Sequence, residues 1–256
     1  MEIKSAGNTH VGRKRSHNED RYLIKEDDRL FVVCDGMGGH ASGEVASQLA
    51  IEQMAAFFDA HKNDPEITWR FKENKKLDSF EAQKLEAAIK WANFAVHYKA
   101  SEALNLKGMG TTCVAALFAD RKCIIGHVGD SRCYRIRNSK IELLTEDHSL
   151  LNDYKKLPNV TSDDVKNFPH KNVITRALGM KPTVQVDIKT EQVEDGDIYL
   201  LCCDGLSGEV DDEEMLKTVV EAQGDLQKAC DELIRKANEH GGRDNITVIL
   251  VEVSSQ

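Results

Sequence analysis

Carboxylates recur in this sequence beside the ends of apolar runs. Leu30-Phe-Val-Val-Cys-Asp35-Gly36 is echoed by Tyr199-Leu-Leu-Cys-Cys-Asp204-Gly205, and Ile124-Ile-Gly-His-Val-Gly-Asp130 supplies a third instance. Asp244 leads through Asn245 into Ile246-Thr-Val-Ile-Leu-Val, and Glu19-Asp20 precedes Arg21-Tyr-Leu-Ile. An Asp-Gly pair after an apolar run is by itself an ordinary turn. The recurrence is what points to chemistry. If these side chains gather, they repel one another, and cations must neutralise them. Ligands made only of oxygen suit Mg²⁺ or Mn²⁺ better than zinc. The glycine after Asp35 lets backbone come close to such an ion and offers it a carbonyl.

The elements that would carry these groups follow from periodicity. Arg21–Ile24 and Leu30–Val33 read as two strands joined by the charged turn 25–29, a hairpin leading to Asp35. Ala46, Leu49, Ala50, Met54, Phe57 and Phe58 lie on one helical face after a possible cap at Ser42, and a polar stretch from His61 to Asp78 reads as a loop. A second helix is expected from about Phe80 to Leu104. Thr111–Phe118 and Cys123–Val128 read as strands, with Cys133–Ile136 resuming after Gly129-Asp130-Ser131-Arg132. Residues 145–180 are irregular and long for a connection inside a compact domain, which usually signals a role in function. Asp197–Cys203 returns to strand, and Leu226–Ala237 forms an amphipathic helix stopped by Gly241-Gly242. Strands in blocks, with helices in two groups, favour an α+β layered fold of antiparallel sheets in one domain spanning 1–256.

Composition narrows the function classes. The chain has 256 residues, and its net charge of −9 disfavours nucleic-acid and anionic-membrane partners, because phosphate backbones attract basic surfaces. Its N-terminus lacks an apolar signal core and no uncharged run is long enough to span a bilayer, so a cytoplasmic protein is expected. Several of the 7 cysteines sit in apolar runs and no C-x-x-C pair occurs, which fits a reducing compartment and removes zinc-finger and thioredoxin-like readings. None of the cysteines has arginine at the C-x-x-x-x-x-R spacing of a cysteine-based phosphatase.

Taken in order, His17-Asn-Glu-Asp20, Val33-Cys-Asp-Gly-Met-Gly-Gly-His40, Gly110-Thr-Thr112, Gly129-Asp-Ser-Arg132, Cys203-Asp-Gly-Leu206 and Gly242-Arg-Asp-Asn245 resemble the motifs of the metal-dependent protein phosphatase family, type 2C, in its bacterial single-domain form. The resemblance covers nearly the whole chain. It implies a β-sandwich of two antiparallel sheets flanked by helices, with a two-metal centre at one end. It also implies hydrolysis of phosphoserine and phosphothreonine by direct attack of metal-activated water. By position, Asp35 would bridge two Mg²⁺ or Mn²⁺ ions, the Gly36 carbonyl would bind one, and Asp204 and Asp244 would hold the second. Glu19 and Asp20 would act through metal-bound waters, and Asp130 with Asp204 would form a third, weaker site. Arg15 matches the arginine that grips the substrate phosphate, and Thr112 is expected near it.

Met37 stands where many eukaryotic members carry a histidine proposed as general acid, which leaves metal-bound water or His40 as donor. His127 reads as a core or sheet-face residue, and His148 as a residue helping to begin a helix. Residues 145–180 would be the flap over the site, with Asn172 and Arg176 as anchors. The implied partners are phosphoproteins modified by serine/threonine kinases, and the chain is expected to be a monomer. The alternatives are a binding protein that keeps the fold without turnover and a phosphatase of a small phosphorylated metabolite.

Overall fold

The computed structural model describes residues 1–38, 42–63, 77–170 and 173–254. Eleven strands and seven α-helices follow in the order β1 (Glu2–His10), β2 (Asp20–Lys25), β3 (Leu30–Met37), α1 (Gly43–Asn63), α2 (Phe80–Glu102), β4 (Gly110–Thr111), β5 (Cys113–Ala119), β6 (Lys122–Val128), β7 (Arg132–Arg137), β8 (Lys140–Leu143), α3 (Leu150–Lys155), α4 (Ser162–Lys166), β9 (Asp187–Gln192), β10 (Ile198–Cys202), α5 (Asp204–Ser207), α6 (Asp212–Glu221), α7 (Leu226–His240) and β11 (Ile246–Ser254) among the described residues. One sheet runs β1-β11-β10-β7-β8; the other runs β2-β3-β5-β6-β9, with β4 added beside β3. All the strand pairings are antiparallel.

Strand alternation makes the layers. In β3, Leu30, Val32 and Cys34 pack toward α1 and α2, while Phe31 and Val33 face the opposite sheet. Such a strand is apolar on both faces, which is why it reads as an unbroken hydrophobic run. Between the sheets, Phe31 meets Phe118 edge-on at 5.7 Å and Phe118 meets Tyr199 at 5.2 Å. On the far side Leu200, Cys202, Val248 and Leu250 pack under Met215, Val219, Ala229, Cys230 and Leu233 of α6 and α7. The result is the expected helix–sheet–sheet–helix order.

Several boundaries differ from expectation. Helix α1 runs on to Asn63, so residues 61–63 are helical, not loop; 64–76 lie outside the described residues. Helix α2 ends at Glu102, two residues before Leu104. Asp35 is not at the end of its strand but two residues inside it, paired across the hairpin with Asp20. Strand β1 and helix α6 were not expected. Polar β1 pairs with β11 from Glu2↔Ser254 to His10↔Ile246. Helix α6 is capped by Asp211, whose side chain accepts from the Glu214 N–H at 2.8 Å.

Candidate metal centre

Six elements deliver side chains to one end of the sandwich. Arg15 and Glu19 come from the β1–β2 connection, Asp35 and Gly36 from β3, Thr112 from the step between β4 and β5, Asp130 from the β6–β7 turn, Asp204 from the start of α5, and Asp244 from the turn before β11. All of them line one cavity of about 270 Å³ together with Met37, Gly38 and Ile174. Asp20 does not line it. It is fully buried behind Asp35, where its Oδ2 accepts from the Thr247 hydroxyl at 2.6 Å.

Backbone contacts too close for a Cβ set this geometry. A Cβ at Gly36 would stand 2.2 Å from the Gly43 carbonyl oxygen, and one at Gly205 would stand 1.9 Å from that of Asn245. The glycines after Asp35 and Asp204 are therefore packing requirements, not only turn formers. Polar clamps do the rest. The Asp35 N–H donates to the Thr112 hydroxyl at 3.0 Å, and that hydroxyl pairs with Ser131 at 2.7 Å. Thr112 touches the cavity, but its hydroxyl is engaged in holding Asp35. Asn245 donates to the carbonyls of Val11 and His17 and accepts from the Glu19 N–H at 2.8 Å, tying the segment that carries Arg15 and Glu19 to the last strand. Ser131, Asn245 and Thr247 were not singled out from sequence; Asn245 had a signal, as the closing residue of Gly242-Arg-Asp-Asn245.

The segment 145–180 is tied to the same end. Gly129 donates to His148 Nδ1 at 3.0 Å and accepts from the His148 N–H at 2.9 Å, which sets backbone of that segment beside Asp130. His148 does not begin a helix; Ser149 caps α3, while His148 stacks on His127 at 4.7 Å and reaches Asp187 at 3.3 Å. His127 is sheet-bound as expected. Arg132 grips Asp147 with two hydrogen bonds, at 2.9 and 2.7 Å, and Arg176 anchors to Asp187 at 2.6 Å. The positions of Asn172 and His40 lie outside the described residues.

The electrostatics are those of an uncompensated anion cluster. Burial, then Asp20, Asp204, Asp130 and Asp244, push the Asp35 carboxyl far above the usual range. Burial and Asp204 push Asp130 up to about 7, and burial and Asp244 raise Asp204. Burial also raises Glu19, against the pull of Arg15. Among the described residues the cavity wall carries one cation, Arg15, at 2.7 Å from Asp244. Asp204 Oδ1 is buried with no hydrogen-bond partner. An orphan carboxylate oxygen facing other carboxylates, with a hard oxygen donor set around it, fits divalent cations of the Mg²⁺ or Mn²⁺ kind.

Fold and cavity define a class: a helix-flanked double sheet holding an oxygen-donor centre for divalent cations at one end. The chain belongs to the protein phosphatase 2C family, whose sequence profile matches residues 6–250. It is 37% identical over 247 residues to serine/threonine phosphatase stp of Listeria monocytogenes, covering 95% of this chain and 93% of that protein. It is 32% identical over 251 residues to protein phosphatase PhpP of Streptococcus pneumoniae, covering 97% and 96%. A solved structure of the catalytic domain of serine/threonine protein phosphatase PstP in complex with two manganese ions superposes with a TM-score of 0.82 at 32% identity, over 99% of each chain.

Proposed function

We propose that this chain is a cation-dependent serine/threonine protein phosphatase, acting on phosphoproteins made by serine/threonine kinases. The convergence of Asp35, Asp204, Asp244, Asp130 and Glu19 on one cavity with a single arginine carries this reading. Asp35, Asp204 and Asp244 would hold two divalent cations with the Gly36 carbonyl, Asp130 would contribute to a third, and Glu19 would act from the rim. Such cations supply Lewis acidity toward water and charge compensation for the phosphoryl oxygens.

Arg15 is the substrate-facing group. Its side chain is about half exposed, and a guanidinium offers a fork matched to two phosphoryl oxygens. Asp244 orients that fork in the absence of substrate. Asp20, sealed behind Asp35, keeps its own charge off the substrate and acts on the position of Asp35. Met37 lines the cavity, and we assign the proton for the departing alcohol to water.

The shape favours a polypeptide over a small metabolite. A cleft of about 470 Å³ shares Asp130, Asp204 and Asp244 with the cavity and continues past Asp147, Ser149 and Asn152 to Glu209 and Arg243. That leaves room for residues flanking a phosphothreonine. No described helix is long and apolar enough to cross a membrane, in keeping with a site that meets cytoplasmic substrates. We read the chain as acting as a monomer.

The test is phosphate release from a phosphothreonine peptide with Mn²⁺, with chelator, and after Asp204→Asn. Activity that survives either the chelator or the substitution at full rate refutes the reading. No release with Mn²⁺ from several phosphopeptides favours the binding alternative. Arg15→Ala should lower kcat/KM about 10- to 100-fold, the equivalent of one charge-assisted hydrogen bond of ~1.5–3 kcal/mol, with Arg15→Lys in between. Equal kcat/KM for all three proteins would remove Arg15 from phosphate binding.

A further inference from the structure

We propose that Cys203 gives the inner wall of the centre a second kind of cation site, formed by Asp20, Asp35 and Cys203, which takes a thiophilic divalent cation such as Zn²⁺ or Cd²⁺. The ligand atoms of these residues all lie within 4.8 Å of one another. Asp20 is fully buried, and its Oδ1 has no hydrogen-bond partner. A sealed carboxylate oxygen left bare beside a sulfur is a ligand position without its ligand. Cys203 is equally buried, and its Sγ accepts the Thr247 N–H at 3.1 Å. The Sγ otherwise faces the Asn245 carbonyl oxygen at 3.3 Å, the resting place of its proton.

The donor set is mixed. One thiolate and two carboxylate oxygens, completed by water, suit four-coordinate zinc-like ions, whereas the hard donors of the outer cavity suit Mg²⁺ or Mn²⁺. On binding, the sulfur–metal bond replaces the S–H bond and the proton leaves to solvent. Neither Asp20 nor Cys203 lines the outer cavity, while Asp35 belongs to both sites. A thiophilic ion on the inner side therefore withdraws a donor from the outer one, and the two occupancies compete.

The experiment is a Cd²⁺ titration of chelator-stripped protein, followed by the thiolate-to-Cd²⁺ charge-transfer absorption in the ultraviolet. One equivalent should develop the band in the native protein, in Cys34→Ser and in Cys113→Ser, and the band should be missing in Cys203→Ser. Asp20→Asn keeps the sulfur and should weaken the Cd²⁺ dissociation constant by more than the ~10–100-fold that loss of an outer-shell partner costs. Should Cys203→Ser fail to fold, the Asp20→Asn titration decides alone. The proposal is overturned if folded native protein shows no band, if Cys203→Ser shows the native band, or if Asp20→Asn binds Cd²⁺ as native protein does. None of these readouts depends on phosphatase turnover.

Discussion

Asp35→Asn should give a protein that melts higher than the native one in chelator and hydrolyses a phosphothreonine peptide about 10³-fold more slowly in Mn²⁺. Both effects come from one charge. In the cation-free protein Asp35 sits among Asp20, Asp204, Asp130 and Asp244, all of which oppose its ionisation along with burial. An amide of the same shape keeps the oxygen and removes the repulsion, a gain of about 1–2 kcal/mol, the usual scale for relieving one unfavourable feature. For a domain of this size that corresponds to a rise in Tm of roughly 2–8 °C. The same exchange removes the central donor of the proposed centre. Loss of Lewis-acid stabilisation worth several kcal/mol corresponds to about three decades in kcat. A variant that melts lower in chelator would show that Asp35 is compensated by something other than cations, and one that keeps its kcat would remove Asp35 from catalysis.

Mn²⁺ should raise the melting temperature of the native protein, and by more at pH 8 than at pH 5. Binding at 100 times the dissociation constant contributes about 2.7 kcal/mol, or roughly 5–11 °C here. The pH dependence has a definite sign. Burial lifts Asp20 and Asp130 to about 7 in the folded chain, against about 3.9 when unfolded. Between those values the cation-free fold holds protons that the unfolded chain has released, so its stability is full below about pH 4 and falls as pH rises through 7. At pH 5 protons already neutralise the cluster and a cation adds less. Melting curves with Mn²⁺ and with chelator at the two pH values measure the difference. Equal shifts at both would mean that the carboxylates are not the cation site, and a larger shift at pH 5 would reverse the sign.

The parts of the centre visible in the sequence were those with local signatures. Asp35-Gly36 and Asp204-Gly205 end apolar runs, the 25–29 turn announces the β2–β3 hairpin, and the order of the motifs resembles a known family. Groups whose partners lie far along the chain carry no local signature. Cys203 reads as a small hydrophobe, and only the packing of β11 beside α5 sets its sulfur near Asp20. His148 looks like part of a helix start, yet its contacts are His127 and Asp187. Strand β1 escapes because Glu2-Ile-Lys-Ser-Ala-Gly-Asn-Thr-His is polar; its register comes from β11. Helix α6 escaped for a weaker reason, since Asp211 and the acidic first turn Asp212-Glu213-Glu214 are a readable cap.

Arg15 reaches Asp244, Glu19 is held by Asn245, and Asp20 rests on Thr247, all in β11 or the turn that leads into it. Each of these contacts joins the first twenty residues to positions beyond 240. During synthesis the carboxylates are made in the order 19, 20, 35, 130, 204, 244, and the strand that gathers them is made after all of them. A growing chain thus exposes its acidic residues singly, as ordinary surface charges, and has no assembled centre with which to strip phosphate from its neighbours. The carboxylates are gathered only where Ile246–Ser254 lies between β1 and β10.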